Sequence, residues 1–73
     1  MDKSIYTQEH LHMIAQLKRA RQVLGLRQDK VAQKLDRTQS YVSKIESGQR
    51  RIDISQLKEF ARIYKKSLDF FLR

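Results

Sequence analysis

The stretch Val31-Ala32-Gln33-Lys34-Leu35-Asp36-Arg37-Thr38-Gln39-Ser40-Tyr41-Val42-Ser43-Lys44-Ile45-Glu46-Ser47-Gly48 decides how this chain folds. Val31, Ala32 and Leu35 recur at a spacing that places them on one face of a helix, and Val42 and Ile45 do the same for a second. Only Asp36, Arg37 and Thr38 stand between Leu35 and Gln39. So short a link does not bring the chain back antiparallel in comfort, but it suits two helices crossing at roughly 90 to 120°. The crossing needs a small side chain where the backbones approach, and Ala32 lies one turn before the bend. Thr38 offers a hydroxyl to cap the second helix, and Gly48 closes it.

That spacing is a helix-turn-helix, and the flanking sequence supplies its supports. Ile14, Leu17 and Leu24, with Ala20 and Arg21 between them, define a helix that starts after Thr7, where Thr7 and His10 flank a cap, and ends at Gly25. Asp53 followed by Gln56 has the pattern of a capping box ahead of Leu57, Phe60, Ala61 and Tyr64. Ser67 caps a last short helix carrying Leu68, Phe71 and Leu72. The reading is all-α: a compact five-helix fold in one domain over residues 1–73, with 1–7 a loosely ordered N-terminal segment. Helices of about 5 to 17 residues must pack on one another to persist. Proline is absent and glycine occurs only at Gly25 and Gly48, which favours helix throughout.

Composition narrows the function. A chain of 73 residues buries about 60% of its unfolded surface, which leaves no room for a large pocket beside the core and counts against an enzyme. No nucleophile–base set, paired carboxylates or glycine-rich phosphate loop is present, and no cofactor is expected. Asp69 and Glu59 do not pair. His10 and His12, with Glu9, point apart on a helix and read as surface rather than metal ligands. Without cysteine there is no disulfide or thiolate site. No apolar run approaches the roughly 20 residues of a membrane span, and Met1 to Thr7 lacks a signal peptide's apolar stretch, so a cytoplasmic protein is expected. Sixteen Lys and Arg against eight Asp and Glu give a formal charge of +8. That excess fits a polyanion partner such as DNA, RNA or an anionic membrane face, or else a solvated surface that serves solubility alone.

On a helical wheel Val42 and Ile45 fix the buried side of the third helix. Ser40 and Ser47 point away from it, Ser43 and Lys44 flank them, and Gln39 sits at the exposed N-terminal end. Such a face is short and polar and both donates and accepts, which suits a major groove, where Gln pairs with adenine and Lys with guanine. Tyr41 lies sideways, placed either to reach a phosphate through its hydroxyl or to be buried against the second helix. The loop Gln49-Arg50-Arg51 follows, and two consecutive arginines suit a phosphate clamp. Lys18, Arg19, Lys65 and Lys66 read as solvated charges.

The sequence resembles the Cro and phage-repressor type of helix-turn-helix, the XRE family, from about Leu17 to Leu72. The residues that carry the resemblance are Gly25-Leu26-Arg27-Gln28, Ala32, Val42-Ser43-Lys44-Ile45-Glu46-Ser47-Gly48, and the tail Ala61 to Leu72 with Ser67-Leu68-Asp69 inside it. Four positions depart from the pattern. Asp36 stands for a turn glycine, Arg37 for an apolar residue that tucks into the core, Arg27 for a serine cap and Lys65 for another glycine. The resemblance implies a DNA-binding regulator in which Thr38, Gln39, Ser40 and Lys44 read bases and Gln28 bonds a phosphate while buttressing the reader beside it. Placement on the wheel and in the loop adds Ser43, Arg50 and Arg51 as phosphate contacts, with Tyr41 among them where its hydroxyl is not taken up by burial. The resemblance also implies an Arg21–Glu46 ion pair tying the recognition helix to the first helix, unless Arg21 turns to a phosphate.

One short helix reads few bases, so a homodimer on a palindromic double-stranded operator is expected, with Phe70, Phe71 and Leu72 at the interface and Ile5 and Tyr6 beside them. The alternative is an antitoxin or a restriction-modification controller, whose protein partner or neighbouring gene defines its role. A third reading, RNA or membrane binding by charge alone, predicts affinity without sequence preference.

Overall fold

Local signals in the chain mark where nearly every helix starts and stops. The computed structural model describes residues 7–73. Among them α1 (Gln8–Val23), α2 (Gln28–Leu35), α3 (Gln39–Glu46), α4 (Ile54–Tyr64) and α5 (Leu68–Leu72) follow in order with no strand. Thr7, Thr38 and Ser67 each accept a hydrogen bond from the amide three residues on, those of His10, Tyr41 and Phe70, at 3.1, 3.2 and 3.3 Å. Those amides have no partner within the helix, so the hydroxyl oxygen takes the place of water. Asp53 and Gln56 complete the capping box: the Gln56 amide donates to the Asp53 carboxylate at 2.8 Å, and the Asp53 amide donates to Gln56 Oε1 at 2.9 Å. Arg27, which replaces a serine in the family pattern, gives α2 no side-chain cap. The segment 1–7 enters this description only at Thr7.

The helices α1 to α4 share one way of ending. The amides of Leu26, Arg37, Gln49 and Lys66 reach back to the carbonyls of Arg21, Ala32, Lys44 and Ala61, at 3.1, 2.9, 2.9 and 3.0 Å. Each bond spans one residue in left-handed backbone: Gly25, Asp36, Gly48 and Lys65, with φ of 69, 58, 83 and 56°. This is the Schellman ending, which satisfies carbonyls left over at a helix C-terminus. Two of the four residues carry a side chain where the conformation favours glycine. At Gly25 an added Cβ meets nothing within 4 Å, so the glycine answers to the backbone angle and not to a lack of space.

The core forms where α1, α2, α3 and α4 converge. Leu17, Val31, Val42, Ile45, Leu57, Phe60, Tyr64 and Phe71 are almost wholly buried, and each large apolar side chain buried in this way contributes about 1.5–3 kcal/mol. Ala32, the small residue one turn before the bend, is buried in this core. No helix among the described residues is long and apolar enough to cross a membrane.

The assignment of Phe71 to a dimer interface is corrected here. Phe71 is 0% exposed and belongs to the monomer's own core. In a helix of only five residues, one large side chain pointing inward is enough to dock it, and Phe71 takes that place with Leu68 beside it. Phe70 is half-buried, its ring edge-on to Phe71 and covered by the Lys66 ammonium at 5.0 Å. The Gln16 side-chain amide donates to the Phe70 carbonyl at 3.3 Å. Leu72 is 55% exposed. Ile5 and Tyr6 lie outside the described residues.

Replacing Lys65 by glycine relieves the left-handed strain at the α4 ending, a conformation that costs a residue with a Cβ roughly 1–2 kcal/mol. Chemical denaturation is expected to show Lys65→Gly more stable than the parent by about 1 kcal/mol, after the extra unfolded-state freedom of glycine is set against the gain. A less stable variant would mean that Lys65 is not strained there.

Candidate nucleic-acid interface

The side of α3 that faces solvent is set by the side that does not. Val42 and Ile45 are wholly buried, and Tyr41 and Glu46 flank them at 8% and 9% exposure. Gln39, Ser40, Ser43, Lys44 and Ser47 are left exposed, with Thr38 at the helix start. Thr38 accepts the Tyr41 amide but keeps its own hydroxyl proton to donate. Ser47 turns its hydroxyl back to the Lys44 carbonyl at 3.2 Å. The four residues read from the sequence as base readers are all exposed, Thr38, Gln39 and Ser40 at the start of α3 and Lys44 in its last turn.

What holds that helix is a buried ionic network. Arg21 Nε and Nη2 donate to the two carboxylate oxygens of Glu46 at 2.7 and 2.9 Å, and Arg21 Nη1 donates to the Leu26 carbonyl at 2.9 Å. The side chains are 12% and 4% exposed. Gln28 Nε2 donates to Glu46 Oε1 at 3.1 Å. One carboxylate on α3 therefore gathers α1 and the first residue of α2, while Arg21 also fixes the α1–α2 loop. The hydrogen bond to Glu46 holds the Arg21 guanidinium more firmly protonated than usual. Arg21 is thus engaged by Glu46 and Leu26. Gln28, expected at a phosphate, has its side-chain amide directed to Glu46.

Tyr41 is also corrected. Its hydroxyl is buried with no hydrogen-bond partner among the described residues, so it does not reach a phosphate. Its ring is buried in the core and stacks on Phe60 of α4 at 6.3 Å with 9° between planes. Two guanidinium groups lie over it, Arg37 at 5.0 Å from the ring centroid and Arg50 at 4.9 Å. Asp36, Arg37, Thr38, Ser40, Tyr41, Lys44 and Arg50 line an open cleft beside the N-terminal half of α3. Arg37, which the sequence alone does not place beside α3's outward face, lines this cleft. The only sign in the sequence was a charge where the family pattern has an apolar side chain.

The two consecutive arginines of the α3–α4 loop part company. Arg50 joins Tyr41, whereas Arg51 lies near enough to His10 on α1 to disfavour its protonated form. Ser43, Arg50 and Arg51 are all exposed. Among the described residues no group of three His, Cys, Asp or Glu side chains is placed to hold a metal.

A family model described as helix-turn-helix matches residues 17–71. No curated protein and no solved structure matches the chain. The matched span runs from the core residue Leu17 to the core residue Phe71 and includes every residue of the ionic network and of the cleft.

Two outcomes follow from this geometry. Glu46→Gln removes the charge opposite Arg21 and is expected to cost about 3–5 kcal/mol in urea denaturation, whereas the paired apolar change Arg21→Met with Glu46→Leu stays close to the parent. Equal losses in both would deny the pair its role. The second concerns pH. Burial first and Arg51 second hold the His10 pKa below 6.5, so the unfolded chain takes up the proton more readily than the folded one. Stability is then lost as pH falls through 6.5 toward the depressed value. Melting temperatures recorded from about pH 7.5 down to about pH 5.5 should fall less for His10→Gln than for the parent, and parallel curves would rule His10 out.

Proposed function

The chain belongs to the helix-turn-helix family of the Cro and phage-repressor type, and on that premise we propose a transcriptional regulator that binds a palindromic DNA operator as a homodimer. The family binds DNA through this motif and is not, in general, enzymatic. The observation that carries the reading is the exposed face of Thr38, Gln39, Ser40 and Lys44 on a helix locked from behind by the Arg21–Glu46 pair.

With its side chains a helix is about 10–12 Å across, which matches a major groove about 12 Å wide. Gln39 reads adenine and Lys44 guanine through paired hydrogen bonds, while Thr38 and Ser40 supply hydroxyls to neighbouring bases. Ser43, Arg50 and Arg51 meet the backbone and set the register without carrying sequence information. Gln28 approaches the other strand from the start of α2, its orientation set by Glu46.

Two copies reading half-sites about 34 Å apart multiply the few contacts that one helix makes. The surface for pairing lies at α5, where Phe70 is half-buried and Leu72 exposed. Such a regulator acts in the cytoplasm, where its operator is.

Selection of bound duplexes from a random pool tests both parts. The expected result is a symmetric pair of half-sites, and Gln39→Ala should relax preference at one position per half-site by about 1–3 kcal/mol. Recovery of unrelated sequences would overturn the reading, and a single asymmetric site would overturn the dimer.

A further inference from the structure

We propose that Arg37 and Arg50, held over the Tyr41 ring, form a seat for one phosphodiester of the DNA backbone on the side of α3 away from Gln28. The proposal rests on the DNA-binding reading above and adds Arg37 to it. Each guanidinium lies about 5 Å from one ring centroid, so the two are within about 10 Å of each other, inside the range over which charges interact at ordinary salt. They repel in the free protein, and an anion between them removes that repulsion.

Three acids stand near this pair: Glu59 reaches Arg37 at 3.9 Å, Asp53 is close enough to feel its charge, and Asp36 sits on the rim of the cleft. Neither guanidinium donates a hydrogen bond to another described residue. Their planar donor sets match phosphate oxygens. The platform beneath them is rigid, because Tyr41 is buried and stacked on Phe60, which is itself 1% exposed. An arginine resting on a fixed ring loses less freedom when it grips a ligand than one waving in solvent.

The position of the cleft identifies the anion. Its other wall is made of Thr38, Ser40 and Lys44, the same residues that face outward from α3. A duplex that takes this helix into its major groove carries a backbone along each flank, and one of those backbones runs past Arg37 and Arg50. In the family pattern the residue at 37 is apolar and points inward. Here the position is turned outward and charged.

The test compares affinities of the parent, Arg37→Ala and Arg19→Ala for a selected duplex and for a scrambled duplex of equal length, across a series of salt concentrations. Each phosphate contact contributes about 0.9 to the slope of log K against log salt. Arg37→Ala is expected to bind both duplexes more weakly by the same factor with a slope smaller by about 0.9, while Arg19→Ala, an exposed cation outside the cleft, keeps the parent slope. Glu59→Gln, which frees Arg37 from the carboxylate that reaches it at 3.9 Å, should tighten both. An unchanged slope in Arg37→Ala, or a loss confined to the selected duplex, overturns the seat. Inorganic phosphate titrated into the free protein, with the arginine side-chain NMR signals followed, should not saturate; saturation would make the cleft a free-anion site instead. If the parent itself shows no preference between the duplexes, the sequence-specific reading fails, while the comparison of slopes still decides the seat.

Discussion

A guanidinium and a carboxylate shut away from solvent determine where α3 stands. Removing both charges from water is costly, and Arg21 and Glu46 recover that cost only through two short bonds to each other, one to Leu26 and one from Gln28. A pair of this kind adds little net stability, but any arrangement that separates its members leaves a bare charge in the interior. It therefore discriminates among ways of docking α3 more than it deepens the chosen one. The adhesion itself comes from Val42 and Ile45, neither of which is exposed at all. Tyr64 lies close by, and burial first and the nearby Glu46 carboxylate second push its phenol well above its ordinary range. Its hydroxyl has no partner among the described residues.

The parts of the fold legible in the sequence were the local ones. Thr38, Ser67, Asp53 with Gln56, Gly25 and Gly48 act on amides and carbonyls within a few residues, so their meaning survives without knowledge of the tertiary structure. Asp36 and Lys65 could be flagged as left-handed positions because the family pattern has glycine there. What was not legible depended on partners far along the chain. Tyr41 sits at an ambiguous angle on the wheel, and its side was decided by Phe60. Phe70, Phe71 and Leu72 are consecutive on a helix too short to establish a phase, and which of them turned inward depended on the space left by the other four helices. The engagement of Gln28 by Glu46 could not be read either, because the acceptor lies eighteen residues away.

Charge tells a similar story. The excess of +8 draws any polyanion from a distance but gives it no direction. Lysines and arginines occur on α1, α2, α4 and the last residues as well as around α3, and the expectation that all of the peripheral ones are merely solvated does not fit Lys66, which rests on Phe70. Direction comes from aromatic support. Where Tyr41 meets Phe60, two arginines are held in place at the edge of the outward helix.

The stacking of Tyr41 on Phe60 has a consequence for the thermodynamics of association. With that contact on one flank of α3 and the Glu46 network on the other, the helix has no swing of its own and its ordering entropy is already lost when the chain folds. Complex formation then draws its heat-capacity change from the surfaces brought together and not from a coil-to-helix transition. A reader so fixed cannot reshape itself to an imperfect groove, and the bending required by a poor match falls on the double helix.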